Sequence, residues 1–338
     1  MEEAPSTELL LLESRAAEED SEYLQSLSAA YKTALYLHES PHTRRAYAKD
    51  INQFILWFQD FHGGTIREIL FGLPQIVKRH HTIAYRDWLR KVAGAHGKPL
   101  SDSSLNRKLS TMAAVFRELQ NAALCTGNPF RGLAAGYKCD PTPALSNEER
   151  QRLISAPDFE NVPTVKERRK RLRDRCLLIV LFVHGLRRDE ARRIRYEDIA
   201  TNQGYFVVNV RQKGGTTIAH RLHPKLYHYL QIYRAEFMKD DGYIFTGLAR
   251  NGNSKENEPM SSQAVYDTVL YWGRRAGLSA KATPHVGRAT VITEALKKAP
   301  LQTVSRAVAH RSVQSTLRYD RTRNRMDQAV MTFQDCEL

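Results

Sequence analysis

The 338-residue chain is poor in cysteine, with four residues at Cys125, Cys139, Cys176 and Cys336, no C-x-x-C pair and no histidine cluster at ligand spacing. That scatter excludes a disulfide-stapled scaffold and a zinc module, and fits reduced thiols in a cytosolic-type compartment. Long apolar runs are also missing. The longest, CLLIVLFV at 176–183, is far too short to span a bilayer. LLLL at 9–12 lacks the basic flank and the length of a signal peptide. Neither an internal repeat nor a low-complexity tract is found, and no membrane partner is expected. Acidic residues are scarce as well: 37 Asp and Glu face 51 Lys and Arg, a net charge of +14.

The basic excess is unevenly spread. Residues 1–22 hold eight acidic side chains against Arg15 alone, a net of −7, so the rest of the chain carries +21 within the total of +14. Such a body favours a polyanionic partner, nucleic acid before membrane. The acidic leader beside it argues for a concentrated binding face rather than charge smeared over the surface.

Two regions separate at a visible seam. From about 23 to 136 the pattern is helical. Tyr47, Ile51, Phe54, Ile55 and Phe58 recur at helical spacing after Ser40-Pro41, and Leu105, Leu109, Met112, Phe116 and Leu119 do so after the capping stretch SDSS. Ile76, Ile83 and Leu89 suggest a third helix between them. The opposite sides of the two clearest helices carry Arg44, Arg45, Lys49, Arg107 and Lys108, which fit either a solvated face or contacts to nucleic acid. KCDPTPALSNEER at 138–150 then reads as a linker running into a capped helix.

The second region mixes element types. Residues 173–199 read as a buried helix, a break at Gly185 and a second helix. Residues 205–210 and 216–223, around Gly214-Gly215, read as a β-hairpin. Helical patterns follow at 225–238, 261–276, 286–298 and 301–309. The expected fold class is mainly α with a small antiparallel β-sheet. The cluster KERRKRLRDR at 166–175 reads as phosphate contacts or a solvated helix.

Candidate chemistry lies in an ordered set. His42–Arg45, His184–Arg187 and His285–Arg288 all match H-x-x-R, a pattern too common in an arginine-rich chain to carry weight alone. The order Arg187, Lys213, His285, Arg288, His310, Tyr319 carries more. Two arginines offer forked, permanently charged donors suited to phosphodiester oxygens. A histidine can take a phenol proton, and a lysine can protonate a leaving alkoxide. Together they supply what a tyrosine nucleophile needs, since its phenol ionises only at about pH 10. Each residue also has a plainer reading. The arginines could pair with acids such as Glu190, Lys225 rivals Lys213, and Tyr319 is one of 15 tyrosines. Lys213 is preferred because a hairpin tip can enter a groove, whereas Lys225 follows Pro224 into a helix.

Across nearly its whole length the chain resembles the tyrosine recombinases, the phage-type integrases, and in particular their two-domain Cre- and Xer-like members. SPHTRRAYAKDINQFILWF and SLNRKLSTMAAVFRELQNAALCTGNPF resemble the family's helical core-binding domain. HGLRRDEARRIRYEDI is similar to its first-arginine box, RQKGGTTIAHRLHP to its lysine hairpin, PHVGRAT to its His-x-x-Arg box, and VAHRSVQSTLRY to its last histidine and nucleophile. The resemblance implies catalytic Arg187, Lys213, His285, Arg288, His310 and Tyr319, with Glu190 in support. It makes Arg44, Arg45, Lys49, Arg107 and Lys108 candidate DNA-binding residues. His184, Asp189 and Ala309 stand where the family usually has threonine, serine and glycine.

The implied organisation is an acidic leader (1–22) expected to be disordered, a core-binding domain (23–137), a linker (138–148), a catalytic domain (149–321) and a C-terminal helix (322–338) docking on a neighbouring subunit. The short, acidic leader is a poor match for DNA phosphates, so a two-domain member without arm sites is expected. The implied activity is site-specific DNA recombination through a 3′-phosphotyrosyl intermediate and a four-way junction, without metal, ATP or other cofactor. The implied assembly is a homotetramer on two double-stranded DNA sites, in the cytoplasm with the nucleoid. A non-catalytic DNA-binding protein and a type IB topoisomerase-like nicking-closing enzyme are the alternatives.

Overall fold

The computed structural model describes residues 22–37, 41–91, 99–133, 142–212, 215–237, 241–249, 253–279, 281–309 and 312–320. Nearly all of the leader and all of the proposed C-terminal helix therefore lie outside the described residues. Two compact units divide the chain, Met1–Cys139 and Asp140–Leu338. Among the described residues no helix is long and apolar enough to cross a membrane.

The first unit is all helix: α1 (Glu22–Tyr36), α2 (Pro41–His62), α3 (Ile66–Ile76), α4 (Arg79–Lys91) and α5 (Asp102–Asn121). Ser101 caps α5, as the SDSS stretch suggests, and a reciprocal Thr65–Glu68 capping box starts α3. Phe54 on α2 is fully buried, with its ring 4.9 Å from that of Tyr85 and 5.3 Å from that of Phe130.

Where one helix was expected around Ile76, Ile83 and Leu89, two are found. Ile76 ends α3, and Ile83 on α4 faces solvent. The buried stripe of α4 is His81, Tyr85 and Leu89. Histidine and tyrosine hold core positions there, so an apolar-only pattern follows the wrong face.

The second unit opens with α6 (Asn147–Ser155), whose Ser146–Glu149 capping box matches the linker reading. The helix α7 (Val165–Phe182) follows, then the five-residue α8 (Arg188–Arg192). A three-stranded antiparallel sheet is built from β1 (Ile199–Asn202), β2 (Tyr205–Arg211) and β3 (Thr217–Arg221) in that order. After it come α9 (Pro224–Phe237), the strand pair β4 (Thr246–Leu248) and β5 (Ser254–Pro259), α10 (Ser262–Arg275), α11 (Pro284–Leu296), α12 (Leu301–Ala307) and α13 (Val313–Leu317).

Three sequence expectations change here. The helix expected up to residue 199 stops at Arg192 and gives way to a 3₁₀ turn and β1. The strands β4 and β5 were not foreseen, because TGL and SKENEP carry no β-branched or aromatic alternation to betray them. In the basic cluster at 166–175, Lys166 and Lys170 are exposed while several arginines are paired within the unit. Arg168 pairs with Glu236, Arg171 with Glu167, and Arg173 with the buried Asp174. Asp174 also accepts from Trp272 Nε1 at 2.9 Å, so this buried charge is fully partnered.

The second unit is organised by α7, most of which is buried between Leu172 and Phe182. The helix α11 lies against it at Gly287, where a Cβ would sit 2.8 Å from the carbonyl oxygen of Leu181. Glycine alone permits that approach, and it brings the next residue, Arg288, down to the end of α7.

Candidate active site

The site is assembled around the break after α7. Gly185 takes a left-handed φ of +66°, which ends the helix and turns the chain into Leu186 and Arg187. Arg187 is the N-cap residue of α8. Its backbone N–H donates to Glu190 Oε2 and its Nη1 to Glu190 Oε1, both at 2.7 Å. Glu190, third in that short helix and largely buried, thus holds both ends of Arg187. The plain alternative of an Arg187–Glu190 pair and the functional one coincide: the acid orients the guanidinium and leaves other donors available.

Arg288 is only 5% exposed. Its Nη1 donates to the carbonyl of Gly185 at 2.8 Å and its Nη2 to the carbonyl of Val308. Burial, and then the positive charge of Arg187, push its ionisation down to about 10. It remains charged at neutral pH, but two guanidinium groups repel each other here, and an anion between them would relieve that strain.

Tyr319 follows α13 and is 9% exposed, packed with Ala289, Ile292 and Val304. Its carbonyl accepts from Thr293 Oγ1 at 3.3 Å, fixing the backbone that presents the phenol. Burial raises the phenol above its ordinary ionisation, while Arg288, Arg187 and Arg318 act in the opposite direction. His285, beside the Thr283 N-cap of α11, faces the Tyr319 ring edge-on, with centroids 6.2 Å apart. Desolvation and then Arg288 lower its imidazole, so it is neutral and able to accept a proton near pH 7.

Arg187, Glu190, His285, Arg288 and Tyr319 therefore meet in the second unit. Lys213 and His310 lie outside the described residues. The residues just before them are described, and both touch Arg187: Gln212 Oε1 accepts from its Nη1 at 3.0 Å, and the Ala309 carbonyl from its Nη2 at 3.4 Å. Ala309 has a φ of +50°, a left-handed conformation that favours the glycine the resemblance leads one to expect there. Gln212, Thr293 and the carbonyls of Gly185 and Val308 escaped the sequence reading. Only the strand–turn context of Gln212 could have pointed to one of them.

Two further histidines and His184 stand beside this group. The His223 backbone N–H donates to His184 Nε2 at 3.4 Å, and the His220 Nε2 is buried. Burial, then His220 and His223, pull His184 down to about 4. Among the described residues no cluster of His, Cys, Asp and Glu is arranged to hold a metal ion.

The candidate DNA-binding residues belong to the first unit. Arg45 and Lys49 are exposed on α2, and Arg44 lies over the Tyr36 ring at 5.0 Å. Asp50, 1% exposed, takes Arg107 Nη1, Lys108 Nζ at 3.0 Å and Thr111 Oγ1 at 3.1 Å. The open-face reading of Lys108 is thereby corrected: its side chain is 12% exposed and anchored to a buried carboxylate, as an uncompensated Asp50 would be costly. Arg107 shares that anchor but keeps a side chain 42% exposed.

Comparison with known proteins adds an independent line. Residues 144–325 match the model of the phage integrase family, and residues 29–122 match the phage integrase N-terminal SAM-like domain. A tyrosine recombinase of Synechococcus elongatus is 26% identical over 294 residues, covering 85% of this chain and 86% of the relative. The fold is shared with the XerH site-specific recombinase bound to its palindromic difH substrate in a post-cleavage complex, with a TM-score of 0.65, 16% identity, and coverage of 96% and 94%. It is shared also with the lambda integrase tetramer bound to a Holliday junction, with a TM-score of 0.54, 18% identity, and coverage of 88% and 85%.

Proposed function

The chain belongs to the phage integrase family, the tyrosine recombinases, and from that premise we propose that it recombines DNA through a covalent 3′-phosphotyrosyl intermediate formed by Tyr319. The Tyr319 oxygen attacks phosphorus, the bond from phosphorus to the 5′ oxygen breaks, and the phenol proton passes to a histidine. Arg187 and Arg288 hold the non-bridging oxygens and the charge that builds on them. His285 and His310 serve the phosphate and the phenol, and Lys213 delivers a proton to the leaving 5′ oxygen. Glu190 keeps Arg187 in place. The phosphoester exchange conserves bond energy, so the reading requires no ATP, metal or other cofactor.

Attack by the partner strand's 5′-hydroxyl reverses the step, and two rounds exchange strands through a four-way junction. The lambda integrase tetramer on a Holliday junction supports extending that assembly to this chain. In this reading residues 23–137 form the core-binding domain and 149–321 the catalytic domain. Arg44, Arg45, Lys49 and Arg107 contact DNA, with Lys108 beside them, and 322–338 links neighbouring subunits.

The observation that carries the proposal is the meeting of Arg187, Arg288 and His285 at the Tyr319 phenol. A nicked suicide substrate, built on the site recovered by selection from random duplexes, tests it. The native chain should form a covalent adduct that Tyr319→Phe cannot form while binding the DNA normally. An adduct that persists in that variant at another tyrosine would overturn the assignment, and no adduct in the native chain would leave a DNA-binding protein only.

A further inference from the structure

Gln212 stands where two parts of the site join. Its side-chain Oε1 accepts from Arg187 Nη1 at 3.0 Å. Its backbone closes the β2–β3 turn from both sides: its N–H donates to the Thr216 carbonyl at 2.7 Å, and its carbonyl accepts from the Gly215 N–H at 3.1 Å. The preceding residue, Arg211, is still in ladder register opposite Thr217. Residue 212 is thus where the sheet hands over to the turn, and a side-chain bond ties that point to the first arginine.

The residue type suits the task. A neutral amide oxygen accepts from a guanidinium without cancelling its charge. A carboxylate at 212 would compete with an anionic phosphate for the same donors, in addition to Glu190, which already pairs with Arg187. A shorter or apolar side chain would lose this bond and leave the backbone bonds at residue 212 in place.

We propose that Gln212 is a positioning residue for strand cleavage: its bond to Arg187 fixes the base of the hairpin turn against the phosphate site and so sets the reach of Lys213, the next residue in sequence. The inference rests on the proposed role of Lys213, in which its ammonium gives a proton to the 5′ oxygen as the phosphorus–oxygen bond breaks and the bond to Tyr319 forms. Losing the Gln212 bond should therefore slow the departure of a poor leaving group and matter little for a good one.

The test is single-turnover cleavage by the full-length protein on suicide DNA with either a normal 5′ oxygen or a bridging 5′ sulfur, which needs no proton to leave. The variants are Gln212→Met, which keeps length and removes the acceptor, Gln212→Ala, Lys213→Ala, and Gln212→Met combined with Lys213→Ala. Gln212→Met should slow the oxygen substrate roughly ten- to a hundredfold, the range for a hydrogen bond to a charged group, with single-site DNA affinity unchanged. Sulfur should restore most of that rate, and the double variant should be no slower than Lys213→Ala. Equal slowing on both substrates would mean that Gln212 serves Arg187 rather than the hairpin, and full activity on oxygen would mean that it positions nothing. Either result overturns the inference. If sulfur fails to rescue Lys213→Ala itself, the leaving-group acid lies elsewhere, and the reading of Lys213 falls together with the inference built on it.

Discussion

Arg288 and Gly185, 103 positions apart in sequence, are joined by a 2.8 Å hydrogen bond from the guanidinium to the glycine carbonyl. With the Val308 carbonyl on its other nitrogen, Arg288 is aimed by backbone on two sides. A lysine cannot span both carbonyls and still reach a phosphate, since it offers a point charge in place of a planar fork. Arg288→Lys should bind DNA within a few-fold of the native chain and cleave it about 10²–10³-fold more slowly, the usual effect of losing one transition-state donor. Single-turnover cleavage against gel-shift affinity checks this. Near-native cleavage in the lysine variant would show that charge alone suffices.

Stability should fall in mild acid. His184, His220 and His285 all have folded-state ionisation below their ordinary value, His184 at about 4 against 6.5. The unfolded chain therefore binds more protons than the folded one between those two values. The contribution of His184 is complete above pH 6.5 and is lost as pH falls toward 4, by roughly 3 kcal/mol at most. Urea unfolding at pH 7.5, 6 and 5 should show this decline, and His184→Gln should flatten it. A flat profile in the native chain contradicts the depressed values.

Ala309 carries its left-handed backbone at a cost. For residues other than glycine that region costs about 1–2 kcal/mol, of which glycine's greater unfolded-state freedom returns roughly half. Ala309→Gly should raise stability by up to about 1 kcal/mol with cleavage retained, and Ala309→Val should lower stability, as β-branching makes this φ worse. Thermal melts of the two variants should move in opposite directions. If both fall, this backbone strain does not govern stability at the position.

Asp50 is the electrostatic centre of the helical unit. Asp50→Asn keeps the shape but leaves Arg107 and Lys108 without their counter-charge, so a loss of about 2–3 kcal/mol is expected, at or just below the range for breaking a buried pair. The urea midpoint should fall accordingly. An unchanged midpoint would mean that both cations relax into solvent without cost.

Much of this was legible in the sequence because the informative residues are neighbours in it. The H-V-G-R turn of α11, the R-x-x-E cap of α8 and the nine-residue step to Tyr319 are local patterns whose residue types state their chemistry. The α2 and α5 stripes were legible for the same reason, since each is a long apolar periodicity. What escaped depends on contacts between distant segments. Gln212 is an ordinary turn residue until Arg187 is placed beside it. The carbonyls of Gly185 and Val308 carry no residue-type signal at all. The strand β5 is held by pairing with β4, and its own composition argues against a strand.

The internal pairing of the basic segment of α7 bears on how this protein feels salt. Each phosphate neutralised by a free cation releases counterions from DNA, and the number released sets how steeply affinity falls as ionic strength rises. Arg168, Arg171 and Arg173 are held by carboxylates and backbone carbonyls of their own unit. Arg169 is held by the carbonyl of Glu236, and Arg175 stacks over Phe159 and Tyr229. So partnered, they should add to the formal charge while displacing few ions from a duplex. The ionic-strength dependence of binding should accordingly be shallower than the charge of the body suggests, and neutralising the partners Glu167 or Glu236 should steepen it.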